Sequence, residues 1–109
     1  MSLTIYLHDP TSTYKTLSLW DNNITGNLSQ MANEVGVYEC LWNPDTDRPA
    51  KYLIPNLEKS LKELKDNPTY YKKFNPSNGW GTYEGLVEFL TNYLEACHSF
   101  GLAYIQIYR

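Results

Sequence analysis

The strongest constraint on this chain is an apolar stripe toward its C-terminal end. Tyr83, Leu86, Val87, Leu90, Tyr93, Leu94 and Cys97 recur at the i, i+3, i+4, i+7 spacing of a 3.6-residue period. Phe89 and Phe100 widen the stripe. A helix with that much apolar surface has to be packed against a core. Thr82 stands where a hydroxyl accepts from a first-turn N–H. Glu84 and Glu88 suit the positive end of the helix dipole. Gly101 offers a left-handed residue just past the last turn.

The loop that leads into this helix, Asn75-Pro76-Ser77-Asn78-Gly79-Trp80-Gly81, is turn chemistry. Its glycines let the backbone bend around Trp80. The indole is then either a lid on the core or a surface for ligand stacking. Free N–H groups at the start of the helix, around Thr82 and Tyr83, make this loop a candidate pocket wall for a polar ligand. Neither a GxxxxGK[ST] nor a GxGxxG pattern is present, so no cofactor is implied.

The remaining elements are read around that helix. Leu3 to His8 alternates and predicts a strand. Thr11 to Asp21 is open between a second strand and an irregular segment, with Tyr14, Leu17, Leu19 and Trp20 as its apolar residues. Asn22-Asn23-Ile24-Thr25 is expected to start the first helix, whose apolar face is Ile24, Leu28, Met31, Ala32 and Val35, with Gly36 ending it. Val37 to Trp42 is a short strand or a second helix. Asn43 to Pro49 is a loop. From Ala50, Leu53, Ile54, Leu57, Leu61 and Leu64 keep helical spacing to about Lys65, and Pro55 demands a kink or a fresh start. Asn67 is expected to cap a short helix opened by Pro68. Leu102 to Tyr108 alternates again, with Ala103, Ile105 and Ile107 on one face and Tyr104, Gln106 and Tyr108 on the other. The two terminal strands are expected to pair, because a lone strand cannot satisfy its backbone. The expected class is α+β. Three to four helices pack against a small sheet made mainly by the N- and C-terminal strands, in a single domain over 1–109.

Composition narrows the function classes. Net charge is −3, which argues against a general nucleic-acid footprint. The six lysines between Lys51 and Lys73 face three acids and read as a solvated helix face or a phosphate patch. Ten tyrosines and three tryptophans favour half-buried interfaces and ligand clefts. Cys40 and Cys97 lie in apolar runs without CxxC or metal spacing, so free thiols, a reducing cytoplasm and no metal are expected. No signal-peptide pattern and no bilayer-length apolar segment is visible, and no membrane partner is expected. His8-Asp9 and His98 are the histidine features available for acid–base chemistry. Amides at Asn23 and Asn27 with Thr25, then Trp42-Asn43, and Trp80 with Thr82 and Tyr83, form a candidate binding set for a small polar ligand.

Asn23-Ile24-Thr25-Gly26-Asn27-Leu28, Met31-Ala32, Val37-Tyr38-Glu39, Leu41-Trp42-Asn43-Pro44 and Asn78-Gly79-Trp80-Gly81-Thr82-Tyr83 together resemble a family of small, functionally uncharacterised bacterial and bacteriophage proteins. Where this chain has Gly26, the family pattern often has a histidine. The resemblance implies a phage or prophage setting in a host cytoplasm and no particular chemistry. The expected role is a non-enzymatic binding or interaction module for a small polar ligand or a host protein. The rivals are a small-molecule enzyme using His8, Asp9 or His98, and a homo-oligomeric assembly protein using the tyrosine-rich surface.

Overall fold

The computed structural model describes residues 1–11 and 18–109. Tyr14 and Leu17, read above as part of an open segment, lie outside the described residues. Strand β1 (Ser2–His8) is the middle strand of an antiparallel sheet, flanked by β2 (Ser18–Thr25) and β3 (Tyr104–Tyr108). The terminal strands pair as expected, with Ile5 opposite Ile107 and Tyr6 opposite Gln106. The two-residue period of β1 sends Leu3, Ile5 and Leu7 to one face, where all three are fully buried.

The helices complete an α+β architecture. A 3₁₀ turn over Gly26–Leu28 leads into α1 (Ser29–Val35), and Gly36 ends it in a left-handed conformation at φ 88°. Val37 to Trp42 resolves as helix, giving α2 (Tyr38–Trp42). A second 3₁₀ turn, Ala50–Leu53, precedes α3 (Ile54–Asp66), so Pro55 falls in a first turn and breaks no hydrogen bond. The short α4 (Pro68–Lys72) and the long α5 (Tyr83–Ser99) follow. The predicted stripe of α5 is interior: Leu86, Leu90, Tyr93 and Cys97 are fully buried, and the helix packs on α3 and β2.

Three expectations change. Asn22 to Thr25 ends β2 instead of starting a helix, because β1 needs a partner on its second edge and Ile24 pairs opposite Leu3. The cap moves to Thr25, whose hydroxyl accepts from Asn27 N–H at 3.3 Å. Asn67 is the N-cap residue of α4 as expected, but its side chain makes no capping bond there: its amide donates to the Glu63 carbonyl and carboxylate and so closes α3. Gly101 is not left-handed. It matters through close approach: its carbonyl accepts from Lys51 N–H at 2.9 Å, and a side chain there would meet Lys51.

Tyr93 ties the two layers together. Its ring lies parallel to Trp20 of β2 with centroids 5.1 Å apart. Its hydroxyl is buried without a hydrogen-bond partner among the described residues, and an unpaired buried hydroxyl costs about 1–3 kcal/mol. Tyr93→Phe keeps the stack and removes that cost. Urea denaturation is expected to show stability unchanged or raised by up to about 1 kcal/mol. Tyr93→Ala opens a cavity and is expected to lose about 3–5 kcal/mol.

Candidate functional site

The approach to α5 is built by local hydrogen bonds. Thr82 Oγ1 accepts from Gly85 N–H at 3.0 Å and caps the helix as expected. Tyr83 turns inward, and its hydroxyl donates to the Leu64 carbonyl at 2.6 Å, pinning the first turn of α5 to the end of α3. Asn75 Oδ1 accepts from Tyr83 N–H at 2.8 Å, and Asn78 Oδ1 accepts from Trp80 N–H at 2.9 Å. Gly79 and Gly81 have φ of 76° and 110°. Only glycine adopts such values cheaply, and between them Trp80 is lifted into solvent, 70% exposed. The indole is thus not a lid on the core.

This loop closes against the end of β2. A side chain at Gly81 would meet Leu28 and Thr25 at 2.9 Å, so the backbone there lies directly on the 3₁₀ turn. A recess of about 560 Å³ opens alongside, walled by Asn27, Gln30, Lys73, Phe74 and the stretch from Asn75 to Asn78. Its hydrogen-bonding sense follows from what is already used. The carbonyl oxygens of Asn75 and Asn78 are taken by backbone N–H groups, which leaves their NH₂ groups as donors. Lys73 adds an ammonium, which lies 4.8 Å from the Tyr70 ring. Asn27 gives one N–H to Thr25 Oγ1 and keeps its carbonyl oxygen.

Thr25, Asn27, Trp80, Thr82 and Tyr83 lie around the start of α5, and of these Asn27 lines the recess while Tyr83 is buried. Asn23 lies on the other side, in a smaller recess of about 240 Å³ between β2 and the first turns of α5, with Asn22, Glu88 and Asn92. Trp42 and Asn43 are not brought to the recess beside Trp80. Trp42 is buried and stacks on Tyr38 with centroids 5.2 Å apart, and Asn43 bonds Glu39 one turn back.

A third concavity lies away from the sequence motifs. On the sheet face turned away from the helices, Tyr6, His8, Gln106 and Tyr108 line a recess of about 380 Å³. His8 Nε2 and Gln106 Oε1 are 2.6 Å apart, and Gln106 Nε2 donates to the Tyr108 hydroxyl at 2.9 Å. The alternation of the two terminal strands carried the signal, but only their register brings His8 beside Gln106.

The other groups read from the sequence for acid–base or nucleophilic chemistry lie apart from these recesses. Asp9 accepts from the backbone and hydroxyl of Thr11, which hold its carboxyl below the usual range. His98 is exposed in the last turn of α5. Burial pushes both the Cys40 and the Cys97 thiol up to about 12. Among the described residues no group of three His, Cys, Asp or Glu side chains is placed to hold a metal ion, and no helix is long and apolar enough to cross a membrane. In comparison with known proteins, no family model, no curated protein and no solved structure matches the chain.

Two outcomes test this geometry. Gly81→Ala forces a strained φ and drives a methyl into Leu28 and Thr25, so a loss of about 1–3 kcal/mol is expected in thermal or urea unfolding, with Gly79→Ala milder for want of the clash. Because a thiol with a raised pKa carries almost no thiolate at mildly alkaline pH, both cysteines are expected to resist iodoacetamide there in the folded chain and to react in denaturant. Mass spectrometry of the alkylated protein checks it.

Proposed function

We propose that the chain is a non-enzymatic binding module of phage or prophage type, working in a host cytoplasm, whose ligand is small, polar and rich in hydrogen-bond acceptors. The observation that supports this reading is Trp80, which stands 70% exposed two residues past the amide-lined recess that ends at Asn78, and is held in solvent by Asn78 and two left-handed glycines. A rigid loop that lifts a large apolar ring into water forgoes burial worth about 1.5–3 kcal/mol for a large side chain, and a ligand that stacks on the ring recovers it. The NH₂ groups of Asn75 and Asn78 and the Lys73 ammonium offer donors to carbonyl, hydroxyl or phosphate oxygens. A nucleotide-like molecule, with a planar ring for Trp80 and oxygens for the recess, has that chemistry.

Native mass spectrometry of protein purified from host cells is expected to find a retained small molecule. Of the three tryptophans Trp80 is the exposed one, with Trp20 half-buried and Trp42 buried, so quenching of its fluorescence reports occupancy. Titration with adenosine and uridine monophosphates is expected to give saturable quenching. Trp80→Ala is expected to cost about 1–3 kcal/mol of affinity with the melting temperature unchanged. Quenching that never saturates, with no retained molecule, would overturn the reading.

A further inference from the structure

A separate site, independent of the one at Trp80, lies on the open face of the sheet. Its floor is made by three neighbouring strands. Tyr6 and His8 project from β1, Tyr104, Gln106 and Tyr108 from β3, and Asp21 stands directly opposite Tyr6 on β2, hence on the same face. Tyr6 and Tyr108 meet at right angles with centroids 5.7 Å apart, and His8 is stacked between Tyr6 and Tyr104. The outward positions of the three strands carry no lysine or arginine.

What the recess lacks is a donor with charge. His8 is 6% exposed, so its ring is a fixed wall of the recess. With Gln106 Oε1 as the acceptor, Nε2 carries a proton, and Nδ1 is buried without a partner among the described residues. Asp21 is exposed and forms no ion pair among the described residues. Tyr108 is 57% exposed and presents a ring bearing negative charge on its face. Ring faces and the Asp21 carboxylate together suit a cation with N–H donors or polarised methyl groups and repel an anion.

We infer that the recess lined by Tyr6, His8, Gln106 and Tyr108, with Asp21 at its side, is a binding site for an organic cation, a guanidinium or alkylammonium group. The group sits against the Tyr6 and Tyr108 rings with Asp21 balancing its charge. It can arrive as a free amine or on a partner's side chain.

Chemical-shift titration of the full chain decides the matter. Tetramethylammonium stands in for the free amine and N-acetyl-arginine amide for the side chain, with the neutral isosteres tert-butanol and N-acetyl-citrulline amide as controls. Saturable shifts at Tyr6, Gln106 and Tyr108 are expected with one or both cations and with neither control. The better-bound cation identifies the source. Tyr108→Leu and Asp21→Asn, both at exposed positions, are each expected to weaken binding about two- to fivefold, while Trp80→Ala leaves it unchanged. Equal shifts with the neutral isosteres, shifts that never saturate, or full binding retained in both variants would overturn the inference. Loss of the nucleotide quenching at Trp80 has no bearing on it.

Discussion

The molecule depends on the contact between one face of α5 and the inner face of the sheet. Trp20 and Tyr93 lie flat on each other at its centre, and Leu86, Leu90 and Cys97 extend the contact along the helix. A three-stranded sheet this small cannot hold a hydrophobic face by itself. Sealing that face against α5 gives β1 its buried side and fixes the direction in which α5 starts. Tyr83 then transfers that rigidity to the loop before it, through the bond to the Leu64 carbonyl. The exposed indole of Trp80 is presented by a scaffold anchored in the core.

The recess at the α5 approach and the one on the open sheet face differ in what their side chains still offer. At the α5 approach the amide oxygens are turned to backbone N–H groups, so donors face outward. On the open sheet face His8, Gln106 and Tyr108 are linked to one another, and ring faces line the recess. The difference follows from local structure. A turn before a helix has spare N–H groups that consume acceptors, whereas a sheet satisfies its own backbone and leaves its side chains to pair with one another.

Much of this was legible in the sequence, and the rest fails for physical reasons. The seventeen residues of α5 give several repeats of the apolar period, so the helix and its buried face could be read directly. The terminal strands were legible from alternation. Five residues of α2 carry too little of any period to separate helix from strand. Asn22 to Thr25 reads as a helix start because asparagine and threonine suit caps, and only pairing with β1, a non-local fact, makes the segment a strand. The loop at Trp80 was legible because its glycines and asparagines act on their immediate neighbours. The sheet-face recess was not, because His8 and Gln106 are 98 positions apart and meet only through register.

The pairing of β1 with β3 has a consequence for synthesis. Strand β1 leaves the ribosome with Leu3, Ile5 and Leu7 in hand, and both its far-side partner β3 and the helix α5 that covers it follow far later in the chain. At about 5–20 residues per second the wait is roughly 5–20 s, whereas a hairpin forms in roughly 1–10 μs. During translation β1 and β2 can therefore form only a half-sheet with a wet apolar side. The nascent chain is most exposed to mispairing then, and the sheet closes once β3 has emerged.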